Sequence, residues 1–193
     1  MTPMRNVVLA CCLALSVPAL AQGTPAPAPP APAPAPASTF QADAAGVLGH
    51  TQQEMVSLAG AMPQAKFNWL PAKGVRSVAE VYLHAAASGY FFGKMLGFDV
   101  PADMAAQLKT FEKSTTDKAK IEKALTDSFT WFAAQLKAMP DAELTKTGEF
   151  FGHTLTKRAV VILALGHYQE HLGQSIAYAR MNGVVPPWSK NDK

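Results

Sequence analysis

From Thr154 to Met181 the chain reads as one continuous helix of about 28 residues, ended by Asn182-Gly183, a pair suited to a left-handed stop. At 1.5 Å per residue it would reach about 42 Å. A helix of that length draws its stability from packing along its face rather than from propensity, so it needs partners of similar length. The chain supplies three. The first candidate runs from about Ala42 to Ala61, stops before Pro63, and carries Val47, Leu48, Met55, Val56 and Leu58 at a helical period. The second opens on Ser77-Val78-Ala79-Glu80, a capping box, and continues through His84 and Phe92 to Leu96, ending near Gly97. The third starts near Thr116-Asp117 and reaches Met139, with Ile121, Leu125, Ser128, Phe129, Phe132 and Leu136 as its buried stripe. Between the second and third, Pro101 can start a short helix through Phe111. No segment alternates with period two between hairpin turns. The expected fold class is all-α, a four-helix bundle.

The N-terminal segments stand apart from that bundle. Arg5 precedes an apolar stretch from Val7 to Val17, and Ala19-Leu20-Ala21 forms a small-residue cleavage signal, so residues 1–21 read as a secretory leader. The apolar run is too short to span a membrane. Val8-Leu9-Ala10 before Cys11 weakly resembles a lipoprotein signal, but the apolar stretch preceding it is too short. Residues 22–38, with Ala and Pro alternating, read as an extended spacer. The domain is expected to occupy residues 39–193. Cleavage after Ala21 removes both cysteines, Cys11 and Cys12, which excludes a disulfide, a cysteine nucleophile or a thiolate ligand in the mature chain. It also removes Arg5, lowering the formal charge from +3 to +2. That balance, without a basic stripe, argues against a nucleic-acid partner. The mature chain is not expected to cross a membrane.

Chemistry enters with histidine. His167 and His171 lie four residues apart in the last helix, which places both imidazoles on one face about one turn apart. Two neutral imidazoles directed to one point suit a transition metal such as zinc or nickel, although the same spacing also arises by chance. Tyr168 follows His167 where a zinc-protease motif would carry glutamate, so that motif is absent, and Glu170 faces elsewhere on the helix. Gln174 and Tyr178 share the face of the pair and are candidates to hydrogen-bond a ligand, while Gly173 could permit close helix packing. His153, just ahead of the last helix, could cap it or line a pocket mouth. His50, on the first helix, could face the core. Phe91, Phe92, Phe129, Trp131, Phe132, Phe150 and Phe151 are expected to pack as core, the usual fate of aromatic residues at helical spacing.

Several stretches together resemble the DinB-like superfamily of metal-binding four-helix bundles. They are Ser77-Val78-Ala79-Glu80-Val81-Tyr82-Leu83-His84, the run from Lys118 to Phe132, His167-Tyr168-Gln169-Glu170-His171-Leu172-Gly173-Gln174, and the ending Tyr178 to Pro187. The likeness covers most of residues 40–188. It implies a metal site in the bundle core, with His84, His167 and His171 as ligands to zinc, nickel or a similar divalent ion and at least one position left open. Three protein ligands with an open position are the pattern of a catalytic site rather than a closed structural one.

The resemblance also implies a metal-dependent enzyme acting on a small molecule, a hydrolase or a thiol transferase, and allows a homodimer. The leader predicts export to the periplasm or beyond, where an oxidising setting disfavours a reduced thiol cosubstrate and favours water. The alternative expectation is a non-catalytic metal- or ligand-binding envelope protein that uses the same three histidines.

Overall fold

Four long helices form the body of the protein. In the computed structural model the described residues are 39–189, all within the unit Ala37–Lys193. The leader and the Ala/Pro segment expected over residues 1–38 lie outside the described residues. The long helices are α1 (Phe40–Ala61), α2 (Val78–Leu96), α4 (Lys118–Ala138) and α6 (Lys157–Met181). Shorter helices α3 (Ala102–Gln107) and α5 (Asp141–Leu144) lie in the connections.

Local chemistry sets the helix ends. Thr39, Ser77, Asp117 and Thr156 each accept a hydrogen bond from a first-turn amide of α1, α2, α4 and α6. These bonds satisfy amides that would otherwise lack partners. At α2 the capping box is complete, with the Glu80 carboxylate accepting from the Ser77 amide at 2.7 Å. Gly97 (φ 87°) closes α2 and Gly183 (φ 74°) follows α6, both in the left-handed region where a Cβ would be strained.

The helices pack in the cyclic order α1–α4–α2–α6, so α1 faces α2 across the diagonal, as α4 faces α6. Side-chain bonds fix the directions. Gln41 donates to the Met139 carbonyl and Gln52 to that of Thr126, so α1 and α4 are antiparallel. Ser128 meets Ala86 and Trp131 meets Tyr90, so α2 and α4 run parallel. Gln169 bonds Thr51 and Arg158 lies over Phe40, so α1 and α6 are also parallel. The bundle therefore runs up, down, down, up in chain order. Because α2 and α4 are parallel, the connection 97–117 must return along a helix of about 28 Å. It does so beside α2, which packs against the 3₁₀ turn Phe111–Lys113.

The core is apolar and aromatic. Tyr82, Tyr168, Phe67, Phe129, Phe132, Leu48 and Met55 are fully buried. Phe129 and Tyr168 pack at 4.5 Å between ring centroids. Among the described residues no helix is long and apolar enough to cross a membrane.

Four expectations are corrected. A two-stranded antiparallel hairpin exists, β1 (Thr147–Phe150) with β2 (His153–Thr156), turning through Phe151 (φ 53°) and Gly152 (φ 78°). Consequently the last helix starts at Lys157 rather than Thr154, with Thr154 paired across the ladder to Glu149. The short helix expected through Phe111 ends at Gln107 and is followed by the 3₁₀ turn. Val47, placed on the buried stripe of the first helix, is exposed.

Candidate metal centre

His84 sits in the second turn of α2, and His167 and His171 lie one turn apart on α6. Because α2 and α6 run antiparallel, His84 falls opposite His171 while Ser88, one turn on, falls opposite His167. The rings cluster, with centroids 5.1 Å apart for His84–His167, 4.6 Å for His84–His171 and 4.4 Å for His167–His171. One ring nitrogen from each lies within 4.8 Å of the other two. The structure thus brings together the three histidines that the sequence singled out.

Hydrogen bonds orient two of the three rings. His84 Nδ1 donates to Glu112 Oε1 at 2.5 Å, and Glu112 also accepts from Arg76 Nε at 2.8 Å and Nη2 at 3.3 Å. His171 Nδ1 donates to Gln174 Oε1 at 2.9 Å. Gln174 Nε2 donates to the Tyr178 hydroxyl, which donates in turn to the Arg76 carbonyl. A proton committed at Nδ1 leaves Nε2 with its lone pair, the form a metal ligand requires. His167 Nε2 lies 2.8 Å from Ser88 Oγ, whose own proton goes to the His84 carbonyl at 2.7 Å.

Charge follows the same plan. Burial, with His171, His84 and Arg76 nearby, pushes the His167 pKa down to about 4. Burial lowers that of His171 as well, against the raising effect of Gln174. Both rings are therefore neutral near pH 7 and free to bind a cation. Burial alone would raise the Glu112 carboxyl, but hydrogen bonds from Arg76 and His84 outweigh it and hold it below its ordinary value. The chemistry of the set fits a divalent transition ion: imidazoles as ligands, with a carboxylate orienting one of them from behind.

The site opens on one side. A cavity of about 310 Å³ reaches His84 and His167 past Ser88 and Glu112. Its apolar lining includes Phe91, Phe92, Leu108 and Phe151. His171 lies deeper, only 5% exposed.

The supporting residues divide. Gln174 and Tyr178 form the hydrogen-bonded relay behind His171. His50 does not approach the site: it is exposed on α1 and faces Glu54 at 3.5 Å. His153 is an exposed strand residue rather than a cap, since Thr156 caps α6. Gly173 has open space where a Cβ would stand, so it permits no close packing. Phe91 and Phe151, expected in the core, are instead 46% and 59% exposed. Glu112 and Arg76 were not legible beforehand. They lie 28 and 8 residues from His84 in the connections that flank α2, where no periodicity marks a partner.

Fold and site together define a four-helix bundle with three clustered histidines at an open pocket. The profile of the DinB superfamily matches residues 48–175, more than half the chain, and the protein belongs to that superfamily. Solved structures share the fold at low identity. A DinB-like protein of Bacillus cereus is 18% identical with a TM-score of 0.63, over 74% of this chain and 94% of its own. A conserved protein of Enterococcus faecalis is 15% identical with a TM-score of 0.64, over 75% and 98%. YfiT of Bacillus subtilis, described as a probable metal-dependent hydrolase with an unusual four-helix bundle topology, is 17% identical with a TM-score of 0.58, over 79% and 94%. No curated protein matches the chain.

Proposed function

We propose that this chain is an exported protein that holds one divalent ion, zinc or nickel, through His84, His167 and His171 and hydrolyses a small molecule there. The observation that carries the reading is the convergence of three imidazoles, with ring nitrogens within 4.8 Å of one another, beside an open cavity. When bound, such an ion acts as a Lewis acid and lowers the pKa of a water or thiol beside it. The chain's own residues do the rest. Glu112 and Gln174 hold the tautomers of His84 and His171, and the apolar wall limits access of bulk water. The description of YfiT as a probable metal-dependent hydrolase supports the same reading. Export, read from residues 1–21, favours water over a reduced thiol as nucleophile, and so a hydrolase over a thiol transferase.

A second reading, non-catalytic metal or ligand binding, has one observation in its favour. Glu112 is the only carboxylate among the described residues lining the cavity, and it is already committed to Arg76 and His84. A committed carboxylate below its ordinary pKa is a weak proton acceptor.

Metal analysis and a substrate screen separate these outcomes. Purified protein is expected to hold about one zinc or nickel ion per chain, as three-histidine sites do. His171→Ala is expected to weaken that binding strongly and His153→Ala to leave it unchanged; a chain that takes up no metal on titration rules the site out. Turnover of small esters, amides or lactones that disappears in His171→Ala supports the hydrolase. A fully loaded protein inert across the panel supports the binding protein.

A further inference from the structure

We infer that the cavity beside the histidines is a subsite for an aromatic or bulky alkyl group of a small ligand, with Phe91 and Phe151 as its specificity-determining walls. Its position next to the ion rests on the metal reading; its apolar character does not. At about 310 Å³ the cavity lies at the small end of ligand pockets, the size for one ring or a short branched chain rather than a polymer.

Phe151 is the unusual residue. It occupies the first position of a two-residue hairpin turn at φ 53°, a place that favours glycine, asparagine or aspartate. An aromatic residue there is disfavoured by its backbone and is also 59% exposed. Neither hairpin stability nor core packing accounts for it. Its ring lies 6.1 Å from that of Phe91, itself 46% exposed on α2, and both border the cavity. Behind them Phe92 packs edge-on against His167 at 5.5 Å. Two exposed rings from separate elements thus flank the approach to the histidines, and a strained backbone that aims a side chain at a pocket is a common mark of ligand contact.

The polar side of the cavity limits the rest of the ligand. The charge of Glu112 is matched by Arg76, and Ser88 is bonded to His84 and His167. Neither supplies a free cation for a second anionic group. The ligand class is therefore a compact molecule with one metal-binding donor, such as a carbonyl or related oxygen, and one uncharged apolar group.

Two hydroxamates serve as probes of the full chain, since both present the same metal-binding head. With zinc stoichiometry established by native mass spectrometry, benzohydroxamate is expected to bind at least about tenfold more tightly than acetohydroxamate, the order of effect for burying a phenyl ring. Phe151→Asn, which suits the turn, and Phe91→Ala are each expected to shrink that ratio several-fold, with zinc stoichiometry and acetohydroxamate affinity unchanged. Equal affinities in the unaltered protein, or an unchanged ratio in both variants, overturn the subsite. If the chain holds no zinc, the metal reading fails by itself. The subsite is then tested in the same metal-free protein by saturation-transfer NMR with benzyl alcohol. Transfer that is lost in Phe91→Ala supports it, and absence of transfer overturns it.

Discussion

His84, His167 and His171 differ in what holds them, and the differences are measurable. Glu112 orients His84 from a connection distant in sequence. Glu112→Gln keeps an acceptor for Nδ1 but removes the charge and the pairing with Arg76. Metal affinity is expected to fall by about tenfold or more with all three ligands intact, as for other carboxylates behind metal-bound histidines. Competition against a chromophoric chelator measures it, and unchanged affinity would leave Glu112 a bystander. Acid acts on the metal-free protein in a definite direction. The His167 pKa is about 4 in the folded chain against an ordinary 6.5, so the unfolded chain takes up its proton first as pH falls. Stability is full above about 6.5 and is lost progressively toward about 4. Lowered His171 acts with the same sign, and lowered Glu112 adds to the loss as pH falls further, through its own folded pKa. Urea midpoints at a series of pH values should drop on acidification, and the drop between pH 6.5 and 5 should be smaller in His167→Gln. A midpoint that rises over this range contradicts the assigned environment.

At the scale of elements, the site depends on how closely α2 approaches its neighbours. Gly89 makes that approach possible: a Cβ there would collide with Ser128 Oγ and stand 2.8 Å from the Tyr168 hydroxyl. Those groups lie on α4 and α6, so relief would require moving a helix or expelling a buried hydroxyl. Gly89→Ala also gains helix propensity, about 1 kcal/mol, which offsets part of the strain. Overpacking of about 1–3 kcal/mol is expected to prevail, giving net destabilisation in denaturant unfolding. A stabilised variant would mean that the helices can separate freely. The capping residues of α2 and α4 and the stripe of α4 were legible because caps and periodicity are local. The hairpin was not. Its strands are four residues long, β1 contains Gly148, and Phe-Gly is not a familiar turn pair. The same omission hid the tip residue Phe151 and displaced the start of α6 by three residues.

For the whole molecule, direction and connection matter most. The up-down-down-up order obliges residues 97–117 to run back beside α2, and that return path carries Glu112 to His84. A metal bound by ligands on both α2 and α6 would link two helices whose pairing exists only in the folded state. Binding and folding are then coupled, and free zinc at one hundred times its Kd should add about 2.7 kcal/mol to the unfolding free energy. The accompanying rise in Tm should vanish in His84→Ala. A Tm unmoved by saturating zinc would show that the ion binds folded and unfolded chains alike.

The four long helices, the caps that open α2 and α4 and the three histidines were readable from sequence alone. Each of these rests on a signal confined to a few turns of helix or on a family pattern in chain order. Packing in three dimensions set the rest: His50 is exposed beside Glu54, His153 stands exposed on a strand, Arg76 and Glu112 stand behind His84, and Phe91 and Phe151 wall a cavity rather than fill a core. Those outcomes follow from the order and direction in which the helices pack. Contacts between α2, the return connection and the hairpin join residues far apart in the chain, and no local pattern encodes which of them will meet.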